Sequence, residues 1–453
     1  MAGWKLSAVL AACVVAAACS SNEDAPNPEY ACYVGLYASS DGGFVDIGPL
    51  SSAALRLRAA DGQTARISPD ENGVWSGMQG WSDIPSPAQI QFDGCPGSGL
   101  ELTGLTDWAG SYERVDYETI DTQFTSGDLT LRGRLVMPPG EGPVPITILV
   151  HGSERYSAVD FYPLQRILPA MGIGAFVYDK RGTGGSDGSY SQDFPALADD
   201  AIAALAEARR LAGSRADRLG YLGSSQGGWI APLAASQDDA DFVIASYGML
   251  VSPLAEDAGQ AQQEIAALGY DEEVLASVRE LTDATGLVLG SDFEEGREEL
   301  AALKRQYRDE EWFSQIEGEV SGPMLHNPLW AFQFIYENFI RSDTSWGHEP
   351  MAVIRQVEVP TLYVIAEEDL EAPPDDTIRL AGELQAEGRL IDVAVFPDTD
   401  HGIINYVETE DGRAGTRYAE GYYRMLGDWI LTGGFQGDYG NARLTAAPAR
   451  DEN

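Results

Sequence analysis

Gly223-Ser224-Ser225-Gln226-Gly227 sets a serine between glycines two residues before and two after it, with the apolar run 219–222 ahead and the small-residue run 228–235 behind. Strand, sharp turn and helix in that order would lift the Ser225 hydroxyl above a sheet edge, on a tight backbone that glycine permits. Gly184-Gly185-Ser186-Asp187-Gly188 fits the same template, and in so glycine-rich a chain about 0.3 to 0.4 chance matches are expected. Context separates the two. Ser186 stands several residues beyond the apolar run 175–178, in Gly, Ser, Asp and Thr that read as an extended loop. After Ser225, Trp229, Ile230, Leu233 and Ala234 recur at helical spacing, and Pro232 is early enough in that helix to be tolerated.

A serine hydroxyl is a poor nucleophile at neutral pH and needs a base within hydrogen-bond reach, itself oriented by a carboxylate. The chain has four histidines: His151, His326, His348 and His401. His401 follows the apolar run 390–395 in a loop after the serine turn, which suits a base. His326 and His348 read as ordinary packed or surface histidines. In His151-Gly152-Ser153 the backbone is the more useful part. The orienting acid should come from Glu367-Glu368-Asp369-Leu370-Glu371, just past the strand-like run 361–365. Asp398 and Asp400 are too near His401 in the chain for that role. A developing oxyanion needs two preorganised donors: the backbone N–H of Gln226, and the N–H of Ser153 after the run 146–150, where Gly152 lets the backbone approach a substrate.

These groups need a frame. From 146 onward the chain alternates strand-like and helical stretches, which means a mostly parallel sheet covered on both faces. A long, charged, helical stretch interrupts the alternation and reads as an inserted cap. The expected divisions are a signal peptide over 1–18, a tether over 19–29 and a small β module over 30–116. A first core part covers 117–251, the cap 252–341, a second core part 342–435 with a last helix from about 413 to 431, and a flexible tail 436–453. Residues 54–58 and 64–67 alternate around Asp61-Gly62, a hairpin signal inside the β module. The cap aromatics Trp312, Phe313, Trp330, Phe332, Phe334, Tyr336 and Phe339 divide between core packing and an apolar acyl pocket.

Lys5 precedes an apolar run, 6–18, too short to span a bilayer and suited to an export signal. Cys19 and the polar residues after it resemble a bacterial lipoprotein signal, placing the chain in a cell envelope. Removal of Cys13 with the leader leaves Cys19, Cys32 and Cys95. Pairing of Cys32 with Cys95 leaves Cys19 over, and lipidation accounts for it; cleavage before an unmodified Cys19 is the alternative. A net charge of -42 argues against nucleic-acid partners. Lysine occurs only at positions 5, 180 and 304, which reads as composition more than mechanism. No metal cluster or dinucleotide-binding loop is evident, so no cofactor is implied.

Leu149-Val150-His151-Gly152-Ser153, the stretch Tyr178-Asp179-Lys180-Arg181-Gly182-Thr183-Gly184-Gly185-Ser186, Gly223-Ser224-Ser225-Gln226-Gly227-Gly228-Trp229 and Asp400-His401-Gly402 together resemble the α/β-hydrolase superfamily. The likeness is to its bacterial esterases and its dienelactone-hydrolase-like and serine-aminopeptidase-like branches, over about 117–431. The resemblance implies an α/β-hydrolase sheet with Ser225 as nucleophile, Asp369 as acid and His401 as base. Ser186 then falls in a structural glycine-rich turn. The activity implied is acyl transfer, with a carboxylesterase for small or medium neutral esters as the leading expectation. A serine peptidase, aminopeptidase or thioesterase comes next, and an inactive surface-anchored binding protein last. The acidity further suggests a salty medium in which carboxylate repulsion is screened. Melting temperature and activity are then expected to rise with salt; indifference of both to salt removes that reading.

Overall fold

The computed structural model describes residues 27–51, 53–337, 343–410 and 412–448. The leader, Cys19 and most of the tether lie outside the described residues, as does Phe339. Strands β1 (Gly35–Ala38), β2 (Phe44–Ser51), β3 (Ala54–Ala59), β4 (Thr64–Pro69), β5 (Trp75–Gln79), β6 (Gln89–Phe92), β7 (Gly99–Thr103) and β8 (Gly110–Val115) close into an antiparallel barrel. Alternate residues fill its interior, among them Val45, Leu55, Leu57, Ile67, Ile90 and Leu102, as expected where eight strands leave room for side chains only. Asp61-Gly62 turns β3 into β4 with Leu57 opposite Ala65. A disulfide joins Cys32 to Cys95, tying the segment before β1 to the β6–β7 loop.

Next come β9 (Glu118–Ser126), β10 (Leu129–Met137), β11 (Val144–Val150), helices α1 (Ala158–Phe161) and α2 (Leu164–Ala170), and β12 (Gly174–Tyr178). They are followed by α3 (Phe194–Ala212), β13 (Ala216–Ser224), α4 (Gly227–Ala235) and β14 (Phe242–Ser246). After an interruption the chain returns with β15 (Thr361–Ala366), a helix over Pro374–Ala386 and β16 (Ile391–Phe396). These strands lie in one nine-stranded sheet, where β12, β11, β13, β14, β15 and β16 are neighbours in parallel and β9 and β10 extend one edge antiparallel. Both faces are covered: Ile148, Val150, Tyr221 and Val243 join one apolar cluster, while Leu149, Leu222 and Ile244 join the other. Burial on both faces explains why these strands read as continuous apolar runs.

The interruption is helical, with Pro253–Ala267, Glu272–Gly290, Arg297–Tyr307, Ser321–His326 and Leu329–Ile335 around a core of their own. Trp312, Phe313, Phe332 and Tyr336 belong to that core, whereas Trp330 and Phe334 are exposed.

Two stretches depart from the sequence reading. Residues 413–418, expected to open the last helix, are strand β19 (Gly412–Tyr418), which pairs with β18 (Ile404–Thr409), itself preceded by β17 (Thr399–Asp400). The helix starts later, over Tyr422–Thr432. A strand stabilised by a cross-strand partner leaves only a weak local signal. The expected flexible tail 436–453 holds buried Tyr439 and a short strand, β20 (Arg443–Thr445), on the free edge of β16. Arg443 also forks onto Glu367 at 2.5 and 3.0 Å. Docking on a sheet edge, not periodicity, orders this segment.

Besides the packing of Leu36 and Phe44 into a core cluster of the sheet domain, two sets of polar contacts fasten the barrel among the described residues. Asp46, fully buried in β2, accepts hydrogen bonds from Arg166 of α2 (2.5 and 3.2 Å) and from Arg58 of β3 (3.0 Å). The other contact is backbone on backbone: Trp81 N–H donates to the Gly415 carbonyl (2.7 Å) and Tyr418 N–H to that of Gly62 (2.9 Å). Asp46→Ala would leave buried Arg58 and part-buried Arg166 without their carboxylate, a loss of about 3–5 kcal/mol. A lowered denaturation midpoint is expected, and an unchanged one would remove Asp46 as the fastening.

Candidate functional site

Ser225 is the one residue between β13 and the Gln226 cap of α4, and its backbone is left-handed, at φ 53°. A side chain in that region costs about 1–3 kcal/mol and needs surrounding structure to hold it. The glycines make that structure possible. A Cβ on Gly223 would stand 1.9 Å from the Gly227 carbonyl oxygen, and one on Gly227 would stand 2.0 Å from that of Val150. Ser225 N–H donates to the Ser246 carbonyl at 3.0 Å, and Gly228 N–H donates to the Ser225 carbonyl at 2.7 Å. Ser186 lies elsewhere: its hydroxyl donates to the Asp179 carbonyl (2.7 Å) and accepts from Arg132 N–H (2.9 Å), holding a loop.

His401 Nε2 lies 3.1 Å from Ser225 Oγ, and its Nδ1 lies 2.9 Å from Asp369 Oδ2. Asp369 is buried, and its other oxygen accepts from the N–H groups of Glu371 (3.0 Å) and Ala372 (2.7 Å), which fix the carboxylate. Asp400 accepts from Leu370 N–H and His401 N–H, linking the acid loop to the histidine loop. The neighbouring acids are engaged otherwise: Glu367 with Arg443, and Glu368 with Tyr406 and Arg413. Burial pulls the His401 pKa down, but the Asp369 charge and hydrogen bond, with Glu371 and Glu256 behind them, raise it to about 9.

Among the described hydrogen bonds, none joins another histidine to Ser225 Oγ. His326 Nε2 lies 2.7 Å from the Ile316 carbonyl oxygen in the cap. His348 packs edge-on against Phe194, and burial lowers its pKa to about 4. His151 is wholly buried, and burial followed by the nearby Lys180 charge lowers its pKa below the usual imidazole value. Its Nδ1 lies 3.3 Å from Glu154.

Gly152 lies against Ser225, since a Cβ there would be 3.2 Å from Ser225 Cβ. Ser153 therefore stands one residue from that contact, with its carbonyl accepting from the Tyr190 hydroxyl at 2.7 Å. Gln226 caps α4, and its Oε1 accepts from Lys180 Nζ at 3.1 Å. Lys180 is buried, a placement that lysine scarcity did not foreshadow.

A cavity of about 580 Å³ opens at His401. Trp81 comes to it from the barrel, Gln260 and Glu319 from the cap, Leu370 and Glu371 from the acid loop, and Ile404, Tyr406 and Arg413 from the β18–β19 hairpin. The cap thus presents polar groups here, and its described aromatics pack inward or face solvent. Glu371 Oε1 lies 3.7 Å from His401 Nε2. Desolvation, then Glu319 and other carboxylates, makes Glu256 hold its proton well above the usual range. Glu371 belongs to the acidic stretch 367–371, whereas Glu319 and Trp81 carried no sequence signal, because each reaches the cavity from a distant part of the chain. Among the described residues no group of three or more His, Cys, Asp or Glu could hold a metal ion, and no helix is long and apolar enough to cross a membrane.

Residues 147–413, more than half of the chain, match the alpha/beta hydrolase family. The chain belongs to that family. Among solved structures it is similar to an esterase of Pyrococcus furiosus, with 14% identity, 63% of this chain and 85% of that one covered, and a TM-score of 0.40. It is also similar to the acylaminoacyl peptidase of Pyrococcus horikoshii (16% identity, 87% of this chain and 55% of that one, TM-score 0.43). Est1E from Butyrivibrio proteoclasticus, with ferulic acid bound, gives 14% identity over 68% of this chain and 96% of its own, at a TM-score of 0.39. No curated protein matched.

Only neutral His401 can take a proton from Ser225, so a pKa near 9 dictates the sign of the pH dependence. The rate of Ser225 modification by a fluorophosphonate is expected to climb with pH and level off near 9. In Asp369→Asn the largest raising influence is gone, so the inflection moves down while the plateau falls about 10⁴-fold. The stability linkage runs the opposite way: a raised histidine pKa stabilises the fold below the unfolded value and loses that contribution as pH rises through about 9. A flat profile from pH 6 to 10 would remove His401 as the base.

Proposed function

We propose that this chain is a serine hydrolase that cleaves small or medium-sized neutral carboxylic esters. The observation that carries the reading is the unbroken hydrogen-bonded line from Ser225 Oγ through His401 to Asp369, on a strained turn. In the reaction Ser225 Oγ attacks the ester carbonyl while His401 Nε2 takes its proton. The imidazolium, stabilised by Asp369, returns that proton to the departing alkoxide, and an acyl-serine remains. Water, deprotonated by the same nitrogen, then attacks the acyl group and frees Ser225. The tetrahedral oxyanion of each half-reaction is received by the N–H groups of Ser153 and Gln226.

A cavity of about 580 Å³ is within the range that holds small ligands. Glu319 and Glu371 on its wall disfavour an anionic acyl chain. The same carboxylates, with Glu371 close to His401, favour a second reading in which the acyl group carries a free ammonium, as in an aminoacyl ester or amide. We also propose that the chain is exported and lipidated at Cys19; the intact mass of the membrane-extracted protein would show the added lipid or its absence.

Turnover of p-nitrophenyl butyrate, compared with aminoacyl p-nitroanilides and with a hemisuccinate ester, decides between the readings. The butyrate is expected to react fastest and the hemisuccinate slowest. Ser225→Ala should abolish fluorophosphonate labelling and lower kcat by roughly 10⁶-fold. A wild-type protein that neither labels nor turns over any of these substrates would overturn the hydrolase reading.

A further inference from the structure

Lys180 follows β12 by two residues and is 1% exposed. Its ammonium donates to the Gly152 carbonyl oxygen and, at 3.1 Å, to Gln226 Oε1. Among the described ion pairs none includes it, and the nearest aromatic face is that of Tyr190, at 5.8 Å from Nζ to the ring centroid. An ammonium shut away from water whose two hydrogen-bond partners are neutral is unfavourable; burial lowers its pKa to about 8, against the nearby Glu154 carboxylate and with the nearby Arg155 cation. The fold retains it at the back of the two segments that flank Ser225.

The geometry of the peptide unit gives that placement a use. The Gly152 carbonyl and the Ser153 N–H belong to one planar, trans peptide, so they point to opposite sides. A cation gripping the carbonyl aims the N–H the other way, and it polarises the peptide so that the N–H donates more strongly. Through Gln226 Oε1 the same ammonium restrains the residue whose N–H is the second donor. Tyr190 braces the next carbonyl, that of Ser153, at 2.7 Å.

We infer that Lys180 is a positioning residue for the oxyanion site, clamping the 152–153 peptide and Gln226 from behind so that both N–H groups face the carbonyl attacked by Ser225. It touches neither substrate nor reacting atoms, and its buried positive charge favours negative charge developing in front of that peptide. The inference rests on the serine hydrolase reading above.

The test is steady-state kinetics of Lys180→Met and Lys180→Gln on p-nitrophenyl butyrate, with competent sites counted by fluorophosphonate titration. Inhibition by a boronic acid, whose adduct with Ser225 is tetrahedral and anionic, is measured beside it. Loss of oxyanion alignment predicts a fall in kcat of about 30- to 300-fold per titrated site and a similar weakening of the boronate. KM should stay within about threefold, because ground-state binding is untouched. A variant that keeps kcat within about threefold per site, or that raises KM alone, overturns the clamp. If Lys180→Met does not fold, Lys180→Gln decides, and failure of both to fold assigns the lysine to stability and likewise overturns it. An inactive wild type sinks the hydrolase reading and the clamp together, whereas an active wild type with unaffected variants sinks only the clamp.

Discussion

The backbone crossing at the serine turn is the constraint on which the rest of the molecule depends. Gly223, Gly227 and Gly228 come so close to the Gly227, Val150 and Gly248 backbones that a single methyl group would occupy the same space. That closeness lets Ser225 hold a left-handed conformation and forces β11, β13 and β14 to end at one level. The loops after those strands then meet at one point, as in open α/β sheets generally. The strain at Ser225 is supported by parallel pairing on both sides of β13.

The histidine is positioned from farther away. Its loop lies between β17 and β18, and the hairpin that β18 begins is bonded backbone-to-backbone to the barrel at Trp81 and Gly62. The barrel is thus more than an appendage, since it bears on the hairpin that follows His401 and sends Trp81 to the cavity. Arg417 extends the same contact by donating to the Asp61 carbonyl at 2.7 Å. Movement of the barrel would be felt at His401 before it was felt at Ser225.

Charge is distributed with a matching division. Carboxylates crowd the histidine side, where Asp369, Glu371 and Glu256 together raise the proton affinity of His401. The opposite side of Ser225 has the buried ammonium of Lys180 behind the 152–153 peptide. In a chain of net charge -42 Lys180 is enclosed with two neutral hydrogen-bond partners and with the Glu154 carboxylate near by.

What could be read from the residues alone was whatever a short stretch encodes in its own backbone. The glycines around Ser225 announce a turn, the apolar runs announce buried parallel strands, and Asp61-Gly62 announces a hairpin. Even the distinction between Ser225 and Ser186 was local, since only one is followed by helical spacing. Tertiary structure alone decided which partners meet. Asp369 rather than Glu367 or Glu368 meets His401 Nδ1, in a place where the Asp400 carboxylate ties two loops together. The strand at 412–418 and the edge strand at 443–445 exist because of the strands they dock on, so their own residues scarcely mark them. Lys180 looked like an accident of composition until the fold enclosed it. The physical reason is the same throughout: local sequence sets backbone conformation, whereas burial, pairing and pKa depend on groups that the chain brings together from far away.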